Sequence, residues 1–216
     1  ADDGVPPGGT HVYTWFVPER AGPGPMDGSS IIWMYHSHVD EIRDVNSGLV
    51  GPLIVTARGK ARKDGTPVDV DRELVTAFVQ VHEEQSWNAA VNLPRGVDST
   101  AIPNPHQLQN IYPWFVQFSI NGYTHGALPL EALTIRKGQR VRWYVFASTN
   151  DFDGHSPHWH GNTVLVNQMR TDVLNLPTMG MIVADMVPDD IGTWLYHCHI
   201  SLHLAAGMQA RYAVVP

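Results

Sequence analysis

The spacing of the apolar residues constrains this chain most. They come in short runs of Val, Ile, Tyr, Phe and Trp, broken by Gly, Pro, Asn and Asp, and no long stretch keeps a helical period. Such a pattern describes strands joined by turns. Strands are expected at His11–Val17, Ile31–His38, Gly51–Ala57, Glu73–His82, Leu133–Phe146, Thr178–Met186, Gly192–His199 and Gln209–Val215. The stretch Leu133–Phe146 reads LTIRKGQRVRWYVF, two alternating segments around Lys137-Gly138, which is a hairpin signature. The chain is therefore expected to be all-β, with its short strands closing into a β-sandwich.

A break falls near Arg58–Asp71, where the sequence turns polar and carries Gly, Pro and a small charge cluster. This predicts a first domain over residues 1–58, a linker over 59–71 and a second domain over 72–216. The second is long enough for a complete sandwich. The first offers only three strand candidates, too few for an independent one, so its early strands are expected to lie outside this chain. Trp87–Pro113 has little regular pattern and reads as a surface excursion.

The charge balance excludes some partners. With 14 Lys and Arg against 21 Asp and Glu, the net charge of −7 argues against nucleic acid or an anionic membrane surface. No apolar run approaches the ~18 residues of a membrane span. The opening residues, ADDGVPPGGT, have neither the basic start nor the apolar core of a signal peptide. A single cysteine permits no internal disulfide and so says nothing about redox compartment.

Twelve histidines are the compositional oddity, and most are clustered. Three segments carry His-x-His pairs: His36/His38, His158/His160 and His197/His199. On a strand, residues two apart share a face, so each pair acts as a pincer of two imidazoles. Imidazole suits copper, zinc, iron and nickel alike. His11, His82, His106 and His125 stand alone and read as ordinary histidines.

Cys198 narrows the choice of metal. It stands between His197 and His199, so its side chain points to the opposite face. There it can meet His203, five residues on, and Met208, ten residues on. His155, three residues before His158, can loop to the same side. Two imidazoles, a thiolate and a weak thioether form the ligand set of a blue-copper electron-transfer site. One tripeptide would then join that site to the imidazoles on the other face.

The motifs HSPHWHG and WLYHCHISLHLAAGM resemble the two C-terminal copper motifs of multicopper oxidases. WMYHSHVDEIRDVNSGLVGPLIV is similar to the motif ending their first domain, in wording nearest the ceruloplasmin and hephaestin branch and bacterial two-domain copper oxidases. INGYTHGALP and GQRVRWYVF match as well, so the resemblance covers nearly the whole chain. It implies cupredoxin-like Greek-key sandwich domains, copper of types 1, 2 and binuclear 3, and reduction of dioxygen to water. Carried over by motif, His155, Cys198, His203 and Met208 would hold type 1 copper. His158 would bind type 2 copper, and His36, His38, His160, His197 and His199 the type 3 pair. Ser37 stands where a blue-copper Cys would stand in the first domain, so that domain should lack its own type 1 site. The family uses four His-x-His pairs and only three occur here, which implies that the fourth lies outside the chain.

The resemblance also implies a reducing substrate (a phenol, an aromatic amine or a reduced metal ion) giving electrons near His203, whose ring edge should lie nearest the surface. Asp40, two residues after His38, is the best-placed acid for delivering protons, against the plain alternative of a loop carboxylate. Glu83 and Glu84 are expected as a solvated edge or, less simply, as an attractor of cations. Two-domain relatives form trimers, so a homotrimer is one expectation, and a periplasmic or secreted location is another. The rival readings are a copper nitrite reductase, which would not need His199, an electron-transfer or copper-storage module without turnover, and a zinc site.

Overall fold

In a computed structural model of the chain, residues 4–92, 116–148 and 153–216 are described. The described residues form twelve strands in three sheets. Strands β1 (Ser30–His36) and β2 (Val50–Thr56) make an antiparallel pair with Trp33 opposite Leu53. The remainder is a sandwich of two larger sheets. One contains β3 (Arg72–His82), β4 (Val116–Ile120), β6 (Val141–Ser148), β8 (Val164–Val166), β9 (Met169–Thr171) and β10 (Met181–Met186), in the order β4-β3-β6-β10-β8-β9. The other contains β5 (Thr134–Arg136), β7 (Pro157–Trp159), β11 (Gly192–Cys198) and β12 (Gln209–Val215), in the order β5-β12-β11-β7. The expected all-β architecture is present.

Strand β6 explains how the layers stack. Its eight residues are all buried, because both of its faces are covered. Val141, Trp143, Val145 and Ala147 point into the inter-sheet core with Phe78, Phe118, Trp159, Tyr196 and Tyr212. Tyr144 and Phe146 point the other way, against Ile32 of β1, with Met34, Val50 and Ile54 around them. The β1–β2 pair thus lies on the outer face of the six-stranded sheet and borrows its core from that sheet.

A charged clamp fastens it there. Arg142, on the outward side of β6, is 1% exposed. Its Nε and Nη2 donate to Asp185 at 2.7 and 2.9 Å, Nη1 and Nη2 to Asp69 at 3.3 and 3.1 Å, and Nη1 to Ser30 Oγ at 2.9 Å. The planar guanidinium reaches two carboxylates at once, a geometry that lysine does not offer. Gly28 passes so close that a Cβ there would sit 2.1 Å from Nη2, so any side chain at this position would displace the guanidinium from its partners. Burial opposes ionisation of Asp69, but the donors from Ser29 and Arg142 outweigh it and bring its pKa down to about 2. The segment expected as a linker is therefore anchored: Asp69 holds Arg142, and Asp71 pairs with Arg140.

Three sequence expectations need correction. Leu133–Phe146 is not a hairpin: β5 pairs parallel with β12 in one sheet, while β6 pairs with β3 and β10 in the other. The turn at Lys137-Gly138 carries the chain between sheets, which alternation alone cannot distinguish from a hairpin. His11–Val17 forms no strand, and Val12, Trp15 and Phe16 are exposed; among the described residues no strand pairs with it. β10 begins at Met181 rather than Thr178, after a turn through Met179 at φ 54°. Of the expected excursion Trp87–Pro113, residues 93–113 lie outside the described residues, as does His106.

Candidate metal centre

Two strands and one loop build the site. In the antiparallel β7–β11 pair, His197 faces His158, Cys198 faces Pro157 and Tyr196 faces Trp159. Strand alternation sends Tyr196, Cys198, Pro157 and Trp159 toward the core and His158 and His197 outward. After Cys198 the chain turns into a short helix, Ser201–Ala205, and returns through Gly207 to β12. The Cys198 amide donates to the Met208 carbonyl (3.1 Å) and the Met208 amide to the His203 carbonyl (2.9 Å), so all three residues are locked in one loop.

The inward pocket gathers His155, Cys198 and His203, whose candidate ligand atoms all lie within 4.8 Å of one another. Cys198 Sγ lies 3.5 Å from His203 Nδ1 and 3.9 Å from His155 Nδ1, and the two Nδ1 atoms are 3.2 Å apart. The Ser156 amide donates to Sγ at 3.3 Å. Cys198, His203 and Met208 are each 0% exposed. Burial raises the Cys198 thiol pKa despite the Ser156 amide. Burial, reinforced by His203, pushes His155 down to about 4, against the opposing pull of Asp153.

The outward pocket gathers His158, His160 and His197. His197 Nε2 lies 3.2 Å from His158 Nδ1 and 3.0 Å from His160 Nε2. His197 Nδ1–H donates to its neighbour's carbonyl, Cys198 O, at 2.8 Å, which leaves Nε2 with its lone pair facing the others. The His199 ring centroid is 5.0 Å from that of His158 and 5.6 Å from that of His197. Burial lowers the pKa of both His158 and His197. Gly161, at φ +71°, turns the chain just after β7 and His160, against the Trp194 ring, which lies 2.3 Å from where a Cβ would stand.

His36 and His38 form a third pair, with ring centroids 5.9 Å apart and Glu41 3.6 and 3.9 Å from them. His36 Nδ1–H also donates to the following carbonyl, Ser37 O, at 2.9 Å. Ser37 Oγ donates to Asp44, which also accepts from Trp87 Nε1; those two donors hold the Asp44 carboxyl below its ordinary value. Among the described residues, neither His36 nor His38 joins the outward cluster. The pair lies with β1 on one face of the sandwich and the cluster on the opposite face.

Two other sequence readings change, those of His203 and Glu84, and Asp40 gains a structural role. His203 is not the surface edge: it is wholly buried, packed 4.5 Å from the Phe118 ring, with Nε2 donating to Asp153 at 2.8 Å. Asp40, expected to deliver protons, caps the helix α1 (Glu41–Asn46) by accepting from the Arg43 amide at 3.3 Å, and Glu41 is a second acid beside the pincer. Glu84 is no solvated edge either: its side chain is 5% exposed and pairs with buried His82 at 3.2 Å. Sequence reasoning missed Asp153, Glu41 and Asp172, whose carboxylate lies 3.7 Å from His158 Nε2. Asp153 sits two residues before His155, so local spacing could have exposed it.

The donor sets fit copper. A thiol with two imidazoles, buried together with a thioether residue, is soft and has no carboxylate among its ligand atoms. The second pocket offers imidazole nitrogens alone. The model of the multicopper oxidase family matches residues 99–216. The chain belongs to that family. It is 38% identical over 222 residues to hephaestin of Rattus norvegicus, covering 99% of this chain and 18% of the relative. To ceruloplasmin of Mus musculus it is 36% identical over 218 residues, covering 99% and 20%. The chain thus spans about a fifth of the length of these relatives. A solved structure described as a multicopper oxidase shares the fold at a TM-score of 0.59 and 16% identity, covering 85% of this chain and 56% of that one.

Proposed function

We propose that this chain is the copper-bearing part of an oxidase that takes single electrons from a small reductant and passes them to dioxygen. His155, Cys198, His203 and Met208 are read as the type 1 ligands, His158 as a type 2 ligand, and His36, His38, His160, His197 and His199 as type 3 ligands. Copper, when bound, supplies the one-electron couple and the dioxygen chemistry. The chain's own contribution is the His197–Cys198–His199 tripeptide, whose covalent bonds join the inward pocket to the outward one. That junction is the observation that carries the reading, because a lone electron-transfer module has no use for imidazoles on the far side of its cysteine. A nitrite reductase would leave His199 without a task, yet its ring packs with the cluster.

The reductant is a phenol, an aromatic amine or a reduced metal ion, and the location is periplasmic or secreted. No described helix is long and apolar enough to cross a membrane. Because the β1–β2 pair and the outward cluster occupy opposite faces, His36 and His38 serve a cluster completed from outside their own sandwich. A homotrimer in which each first pincer meets a neighbour's cluster satisfies this, and so does a longer chain with further domains. Residues 1–58 then belong to a first cupredoxin domain whose other strands lie elsewhere. Measuring dioxygen uptake with each reductant, alongside the molecular mass in solution, tests the proposal. Turnover in an assembly larger than one 216-residue chain, abolished by Cys198→Ser, is expected. Uptake that survives Cys198→Ser would refute it.

A further inference from the structure

The two imidazoles of the inward pocket are held unequally. His203 Nε2 lies 2.8 Å from Asp153 Oδ2, while His155 Nε2 is buried with no hydrogen-bond partner among the described residues. The Asp153 side chain is 46% exposed and His203 is 0% exposed, so this carboxylate is the polar link between a closed ring and solvent. On its other side the ring packs against Phe118. We infer that Asp153 is a positioning residue: by accepting the His203 Nε2–H it fixes the tautomer and turns the Nδ1 lone pair toward Cys198.

This inference rests on the reading of His155, Cys198 and His203 as one metal pocket. An imidazole with a carboxylate on its second nitrogen is oriented and made more basic, and partners of this kind are commonly worth about 10–100-fold in metal affinity. A fixed negative charge beside the pocket also favours the more highly charged, oxidised ion. Without Asp153, His203 would be free to carry its proton on Nδ1, the nitrogen that faces Sγ. The ring would then present an N–H where a lone pair is needed. His155 keeps no such guard, which makes His203 the ring on which Asp153 acts.

Three full-length variants separate orientation from charge. In the metal-free protein, nitrogen-15 spectra of the imidazoles should show His203 as the Nε2–H tautomer. Asp153→Ala should bring in the Nδ1–H form and weaken copper(I) binding about 10–100-fold in competition with a chelator. Asp153→Asn, which still accepts through its amide oxygen, should keep the tautomer while raising the redox potential of the bound copper. Asp153→Glu should restore both properties in part. Circular dichroism matching the wild type excludes misfolding as the cause. An unchanged tautomer together with unchanged affinity in Asp153→Ala overturns the inference. A colourless copper-loaded wild type would instead defeat the blue-copper reading, and the metal-free spectra would still decide the role of Asp153.

Discussion

The two faces of this molecule treat their histidines differently. In the sandwich, β7, β11 and the Ser201–Ala205 loop lock four metal-seeking residues in place by backbone bonds and core packing, so ligand nitrogens stand within hydrogen-bond distance. On the β1–β2 pair, His36 and His38 have similar chemistry, yet among the described residues the charged group beside them is Glu41, and His38 is 86% exposed. The lesson is that, within one chain, His-x-His pincers gather into a cluster where a second strand of the same sandwich opposes them. The hairpin's pair is pre-oriented through Ser37 O and Asp44 but lacks company.

The contrast can be broken from the sandwich side first. Trp143→Ala removes the fully buried centre of the inter-sheet core and should cost about 3–5 kcal/mol. Chemical denaturation should register this as a loss shared by every probe. Arg142→Ala should cost less, about 2–3 kcal/mol, because the carboxylates it strands are 38% and 41% exposed. Its signature is local: hydrogen exchange should accelerate in β1 and β2 while the β7–β11 pair stays protected. Equal acceleration in both regions would show that the hairpin is not held separately.

Acid should reproduce part of that release. The folded pKa of Asp69, about 2, lies below its ordinary 3.8, so its stabilisation is complete above about pH 4 and is lost as pH falls through 2. Exchange in β1–β2 should therefore rise over that window before the sandwich opens, and Asp69→Asn should abolish the pH dependence. The smallest effect belongs to the exposed pincer. His38→Ala should change stability by less than about 0.5 kcal/mol and leave the inward pocket's spectrum untouched.

Much of the site was legible in sequence because its signals are local. His155, Cys198, His203 and Met208 fall within a few residues of strand ends, and alternation alone sends Cys198 and its flanking histidines to opposite faces. What escaped was non-local. Whether Leu133–Phe146 doubles back within one sheet or crosses between two depends on β12 and β3, far away in sequence. The burial of His203 depends on Phe118 and Asp153, 85 and 50 residues away. In an alternating strand a residue such as Arg142 ordinarily falls on the solvated face. Only the docked hairpin, supplying Ser30, and the segment after it, supplying Asp69, turn that face into an interior.

The inward pocket draws the ligand atoms of His155, Cys198 and His203 from one chain, which should therefore hold its copper alone. Absorption and electron-spin spectra of the copper-loaded 216-residue protein test it most directly. An intense blue band and a type 1 signal, both lost in Cys198→Ser while the fold persists, are predicted. A fully copper-loaded wild type without colour would show that this pocket is not a type 1 site.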